Sequence, residues 1–370
     1  VTGHRGRYSR MSSYPKRTMP MNEWPRPDRA MWDQVFAEGD ILGDRGSGSD
    51  WAASTKESAF YSYAKWLTWL SMNGYLDPTA SPFARITPSN VGAYIGDLQT
   101  AAASLTVMHH VLNVLRLAQA YDRSVDWRWL RRIVNRLKAR ATPVREKEPR
   151  LRSSQELFEF GLRLMDTASE PVLRYTSDAP LIQYRDGLMI ALLAARPVRL
   201  RNLGAIIIGE HLQRMGSEYW LRFAATETKN SRPLEHPLPS SLNPYISHYL
   251  QRIRPQLLGE STTRKLWISV GSRPMPDKTL YCRITRRTKA AFGRSISPHL
   301  FRDCAATSIA IEDAEHVCIT ANILGHTSLS TSERHYNQAH MLAAGRTMQQ
   351  SLLNLRRKHS LSKQIDTASR

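Results

Sequence analysis

Cysteine is scarce in this 370-residue chain: Cys282, Cys304 and Cys318 are the only three. None stands in a C-x-x-C pair, which argues against a zinc site or a disulfide framework and fits a reducing, cytoplasmic setting. Long apolar runs are missing as well. The longest, "GLMIALLAA" at 187–195, falls far short of the roughly 20 residues a membrane span needs. No secretory signal opens the chain. It begins at Val1 rather than Met, so the natural N-terminus is expected to lie upstream. Acid is in short supply: 32 Asp and Glu face 52 Lys and Arg, a formal charge of +20. Such an excess calls for a polyanionic partner, nucleic acid first and a lipid surface second. What is abundant is apolar content, 41% of the residues, enough to fill the cores of two or three domains.

The patterning divides the chain. Residues 1–48 are rich in Arg, Pro, Ser and Gly and read as a basic, weakly ordered N-terminal arm, with a short helix around Arg29 to Ala37. Residues 49–140 read as a small helical, DNA-binding type of domain. Its first helix is capped by Asp50 and runs to Met72, with Phe60, Tyr63, Trp66, Leu67 and Leu70 inward. Thr87 caps the next, which carries Val91, Tyr94, Ile95 and Leu98; Leu105, Met108, Val111, Leu112 and Leu115 mark the third. In the fourth, "DWRWLRRIVNRLKAR", one stripe holds Trp129, Leu130, Ile133, Val134 and Leu137. Arg128, Arg131, Arg132, Arg136 and Lys138 lie opposite, with no acid among them. Solvated faces mix both signs, so a single-sign face points to phosphate.

Residues 141–152 have the charge and prolines of a linker. A second domain, 153–345, follows. It opens with helices over Ser154 to Asp166 and Pro180 to Ala194. The stretches "LGAIIIG", "YWLRFAA" and "RPLEHPLP" then predict a small antiparallel sheet, and helices return from Leu242. The expected fold class is mainly α with a small antiparallel β-sheet in the second domain (α+β). Residues 346–370 predict a C-terminal helix and tail.

Four clusters in the second domain carry chemistry. "RPVRLRNL" places Arg196, Arg199 and Arg201 after an apolar helix. Lys229 sits in a polar turn between two expected strands, and it is the only lysine between Lys147 and Lys265. Unlike arginine, lysine gives up its proton within a reachable range. In "SPHLFRDCAATSIA", Pro298 starts a helix that puts His299 and Arg302 on one face of the first turn, with Leu300, Ala305, Ile309 and Ala310 inward. Cations are electrostatically misplaced there unless an anion joins them. Last, "ILGHTSLSTSERHYNQAH" carries Leu324-Gly325-His326 and, ten residues after the histidine, Tyr336.

Arg199, Lys229, His299-x-x-Arg302, Leu324-Gly325-His326 and Tyr336, in that order behind a helical domain, resemble the tyrosine recombinase (phage-integrase-type) family over about residues 50–345. The first motif of that family often reads Gly-Leu-Arg-x-x-Glu-Leu. Here Pro197 replaces the glycine and Asn202 the acid, which leaves Arg196 and Arg201 as rivals of Arg199. The resemblance implies that Arg199 and Arg302 hold a scissile phosphate, that His299 and His326 hydrogen-bond it, that Lys229 protonates the leaving 5′ oxygen and that Tyr336 attacks. It implies no cofactor and no metal, and no cluster of carboxylates for Mg²⁺ stands out in the sequence. The implied partners are double-stranded DNA at a specific site, further copies of the chain as a homotetramer on paired sites, and an accessory DNA-bending or directionality factor. The C-terminal stripe Met341, Met348, Leu352 and Leu355 reads either as a helix packed on its own domain or, as the resemblance implies for such a ring, as a segment exchanged between protomers. A type IB topoisomerase, a telomere resolvase and a catalytically inactive DNA-binding regulator are the alternatives.

Overall fold

The computed structural model describes residues 17–40, 43–142, 146–169, 178–229 and 231–312. The chain divides into two units between Glu146 and Lys147. His326, Tyr336 and the C-terminal helix expected at 346–370 lie outside the described residues, as does Cys318.

The first unit is helical: α1 (Arg26–Phe36), α2 (Ala53–Met72), α3 (Pro88–Ala101), α4 (Ser104–Tyr121) and α5 (Arg128–Arg140). The basic arm read from the sequence departs from expectation from Met19 on. Trp24, Met31 and Val35 are buried in the unit's core. Trp24 stacks on Phe60 with ring centroids 5.1 Å apart and meets Tyr63 edge-on. The sparse apolar residues of this segment are large aromatics, so few of them suffice to dock it, although they give no helical period. A buried polar knot fixes the same place: Asp28 accepts from Tyr63 Oη and Arg85 Nη2, both at 2.6 Å.

Thr87 caps α3 by accepting the Asn90 N–H at 3.2 Å, and Pro88 fills the first position, where its missing N–H costs nothing. In α5 only Leu130 and Val134 are fully buried, and the predicted apolar stripe supplies its partly buried flanks. Leu105, expected inward, is 40% exposed at the first turn of α4.

The second unit is built around α6 (Ser154–Ser169) and α7 (Ala179–Ala195). These cross backbone to backbone. A Cβ added at Gly161 would meet Ala191 N at 2.6 Å and Gly187 O at 2.7 Å, so glycine is required on both sides of the contact. From Tyr184 to Ala194 every residue of α7 is buried, as expected of a helix covered on all sides. Inside it Asp186 accepts from Arg185 at 3.0 Å and, across from it, from Arg283 at 2.6 Å and Arg287 at 2.9 Å.

A short helix, α8 (Leu200–Ala205), precedes a three-stranded antiparallel sheet of β1 (Leu212–Met215), β2 (Glu218–Phe223) and β3 (Leu234–Pro237), in that order. β2 is central, and Tyr219, Leu221 and Phe223 alternate into the core. The first expected strand, "LGAIIIG", is a correction. Its front half belongs to α8, and Ile207 and Ile208 make only isolated bridges, to Lys265 and Leu212. The β-branched run satisfies strand propensity, but burial of Leu203 and Ile206 beneath a helical turn overrides it.

Helices α9 (Asn243–His248) and α10 (Arg254–Leu258) flank a π-helical turn, Tyr249–Ile253. Then α11 (Asp277–Phe292) and α12 (Pro298–Glu312) complete the described unit. Residues 147–152, read as linker, are tied into it. Arg150 donates to Ser295 O at 2.6 Å, and the Arg152 guanidinium lies 5.6 Å over the Phe292 ring.

Candidate active site

Ser297 and Pro298 set up α12. The Ser297 carbonyl and hydroxyl accept the Leu300 N–H at 2.8 and 3.4 Å, and Pro298 takes the first helical position. His299 and Arg302 therefore share one face of the first turn, while Leu300, Phe301, Cys304 and Ala305 are buried. Of the inward positions named from the sequence, Ile309 is half-buried and the side chain of Ala310 is outside the described residues.

Arg302 is only 6% exposed, and its Nη1 donates to Pro197 O at 2.6 Å. That bond fastens α12 to the loop leading into Arg199. Arg199 has extended backbone at the N-cap of α8 and is half-buried. Its side chain makes no hydrogen bond among the described residues. Its rivals have different surroundings. Arg196 turns away and donates to Pro237 O at 3.1 Å and Ala195 O at 2.8 Å. Arg201 is exposed, beside the buried Asn202 and Leu203.

Arg199, His299 and Arg302 lie close enough for their charges to act on one another. Burial, and then the neighbouring charge of Arg199, push the Arg302 guanidinium down to about 10, with Asp303 opposing. Burial also lowers Arg199. His299, exposed at the helix end, is lowered by partial burial of its ring, with Lys147, Arg302 and Arg199 adding and Asp303 opposing. Both guanidiniums stay charged at neutral pH, so two like charges are held together in a partly dry corner. The positive end of the α12 dipole adds to the potential. Such a corner can receive an anion with several oxygens, and planar guanidinium forks suit phosphate.

Two residues of this corner escaped the sequence reading. Asp303 is 9% exposed and accepts from Lys147 Nζ at 2.8 Å. The acid next to Arg302 is thus paired with a lysine from the segment read as linker. The adjacency Arg302-Asp303 was visible in the sequence, but its partner 156 residues away was not.

Lys229 is exposed in the connection between β2 and β3, as read from the sequence. The next lysine, Lys265, is not its rival, because its ammonium donates to Ala205 O at 3.0 Å and closes the end of α8. Nearby, donor atoms of Glu210, His211 and Glu227 lie within 4.8 Å of one another, a spacing a metal could use. The ring of His211 argues otherwise. Its Nδ1 accepts the Ile207 N–H at 3.1 Å, so Nε2 carries the proton and donates to Glu227 Oε1 at 2.7 Å. Both ring nitrogens are engaged, and the trio fits a hydrogen-bonded clamp better than a ligand set.

The five basic residues predicted to bind DNA, Arg128, Arg131, Arg132, Arg136 and Lys138, are all exposed on α5. Arg128 is partly neutralised by Asp126, at 2.9 Å just before the helix.

No family model matches the chain. Among curated proteins it resembles the tyrosine recombinase XerD of Staphylococcus saprophyticus, with 28% identity over 151 residues, and that of Staphylococcus aureus, with 26% over the same length. Each match covers 40% of this chain and 49% of the relative, so the chain spans about half the length of the curated relatives it matches. Among solved structures, the XerH site-specific recombinase bound to its difH substrate, a pre-cleavage complex, aligns with a TM-score of 0.52 at 14% identity. That alignment covers 79% of this chain and 78% of the other. A post-cleavage complex of XerH on palindromic difH aligns with a TM-score of 0.51 at 13% identity over 76% and 75% of the two chains. At such identities the structures share the fold. Over the matched 151 residues the chain is thus similar in sequence to curated tyrosine recombinases, and it shares its fold with the XerH structures.

Proposed function

We propose that the chain is a site-specific DNA recombinase that cuts and rejoins duplex DNA through a covalent 3′-phosphotyrosine. The observation that carries the reading is that Arg302, 6% exposed, is bonded to Pro197 O two residues before Arg199, with Arg199 and His299 within reach of its charge and Asp303 paired with Lys147. A protein that only needed charge for binding would spread it over the surface, where it costs least. Two guanidiniums crowded at partial burial repel each other, and a phosphate between them relieves that repulsion.

In this reading the Tyr336 oxygen attacks the scissile phosphorus and the P–O5′ bond breaks. The leaving 5′ oxygen takes a proton from Lys229, and the protein is left joined to the 3′ phosphate. Arg199 and Arg302 hold the non-bridging oxygens and stabilise the charge of the pentacoordinate state. His299 and His326 hydrogen-bond the same group and assist removal of the tyrosine proton. An unperturbed phenol has a pKa of about 10, and a cationic pocket favours its ionised form. Because the phosphotyrosine keeps the diester energy, a 5′ hydroxyl from another strand reseals it without ATP. Strand exchange between two duplexes then requires a homotetramer on paired sites, helped by an accessory DNA-bending factor. The exposed arginines of α5 supply backbone contacts in the first unit.

The test uses a duplex carrying the inverted repeat sought beside the gene, nicked so that the cleaved fragment diffuses away. The expected product is a covalent protein–DNA adduct linked through the 3′ phosphate. Reversible binding alone would fit the regulator reading. Supercoil relaxation without exchange of paired sites would fit the topoisomerase.

A further inference from the structure

The connection between β2 and β3 is fastened more heavily than an exposed loop requires. Thr228 Oγ1 donates to Arg232 O at 2.7 Å and accepts the Arg232 N–H at 3.1 Å, closing the turn that carries Lys229. Ser231, inside that turn, holds left-handed backbone at φ 49°, a costly conformation for a residue with a Cβ. One residue before Thr228, Glu227 is gripped three times. Its Oε2 accepts the Ala224 N–H at 2.8 Å, its Oε1 accepts from His211 Nε2 at 2.7 Å, and its carbonyl accepts from Asn202 Nδ2 at 3.2 Å.

The other ends of these bonds are firm. His211 is 3% exposed, its ring lies 5.0 Å from that of Phe223, and its Nδ1 is held by Ile207. Asn202 is 7% exposed and sits one helical turn after Arg199 on α8. It also occupies the position where the family often has an acid. An acid there would face the Glu227 carbonyl with a lone pair, whereas the amide offers a donor. A hydrogen-bonded path therefore runs from the helix that begins at Arg199 to a residue two before Lys229.

We propose that Asn202, His211 and Glu227 are positioning residues that fix the Lys229 turn relative to Arg199, so that the lysine meets the leaving oxygen of the phosphate Arg199 holds. The inference rests on the reading of Lys229 as the general acid. Its physical basis is that proton transfer tolerates little misplacement, and an error of about 1 Å costs on the order of 10²-fold in rate. His211 keeps Glu227 ionised by lowering its pKa, with the Ala224 N–H adding, so both carboxylate oxygens remain acceptors at neutral pH.

Single-turnover cleavage by the full-length chain tests this on two nicked duplexes. One has an ordinary phosphodiester and the other a 5′-bridging phosphorothiolate, whose sulfur leaves without a proton. Lys229→Ala sets the reference, a loss confined to the ordinary substrate. Asn202→Ala, His211→Phe and Glu227→Ala are expected to slow ordinary DNA about 10- to 100-fold and the phosphorothiolate less than about threefold. Glu227→Gln keeps an acceptor for His211 and recovers part of the rate. Glu227→Ala adds no further loss to Lys229→Ala. Glu227 is an exposed side chain, so its variants carry the test if the buried His211 variant does not fold. Equal slowing of both substrates by the clamp variants, or unchanged cleavage of ordinary DNA, overturns the proposal while Lys229→Ala remains selective. If Lys229→Ala itself slows both substrates equally, the general-acid reading falls and takes the proposal with it.

Discussion

Arg199 and Arg196 show how the surroundings of neighbouring arginines argue for different roles. Three arginines crowd "RPVRLRNL", and sequence offsets favoured Arg199 without excluding the others. Hydrogen bonding separates them. Arg196 is committed to Pro237 O and Ala195 O, whereas the Arg199 side chain has no such bond among the described residues and perturbs Arg302 instead. The consequences of substitution should differ in kind. Arg199→Ala and Arg302→Ala are expected to lower the rate of adduct formation by on the order of 10²–10³, with far smaller effects on site binding. Arg302→Ala also loses the bond to Pro197 and should melt earlier. Arg196→Ala should lower stability by about 1–3 kcal/mol through the orphaned carbonyls, and leave the cleavage rate per folded molecule nearly unchanged. Parallel melting and single-turnover cleavage check all three. A larger cleavage defect in Arg196→Ala than in Arg199→Ala would reverse the assignment.

Individual elements carry two further expectations. On α5 the apolar residues Leu130 and Val134 dock the helix and leave the arginines in solvent. Reversing Arg131, Arg132 and Arg136 to Glu should weaken binding to all sequences alike and flatten the dependence of affinity on salt, because fewer counterions are released. A loss confined to one base position would mean that α5 reads sequence. On α4, His110 is buried against α2 with Nδ1 3.2 Å from Ser62 Oγ. Burial, with the charges of Lys65 and His109, holds its pKa at about 4. The unfolded chain takes up this proton near pH 6.5 and the folded chain only near 4, so the unfolded state binds more protons in between. Stability from this group is therefore full above pH 6.5 and declines as pH falls toward 4, by on the order of 2–4 kcal/mol. Denaturant melts between pH 7 and 4.5 should show this slope, and His110→Gln should flatten it. The same slope in the variant would place the effect elsewhere.

Across the whole molecule, the readable features were those whose cause is local. Periodicity revealed α2 to α5, the cap at Thr87 and the alternation of β2. The His299-x-x-Arg302 pair followed from one helical turn. Long-range partners were hidden. Nothing near Trp24 announces its burial against Phe60, and nothing near Lys147 announces Asp303. "LGAIIIG" misled because β-branched residues fit a strand wherever they occur, and only the core beneath α8 decides otherwise. Asn202 was noticed as a departure, but its bond to Glu227 depends on how α8 meets the sheet. The central claim is that this arrangement serves a tyrosine nucleophile, and it is tested most directly by comparing the full-length chain with Tyr336→Phe on the nicked duplex. The substitution keeps the ring and removes only the attacking oxygen. The account predicts an adduct from the first protein and none from the second, with both binding the site alike. An adduct from Tyr336→Phe would contradict it.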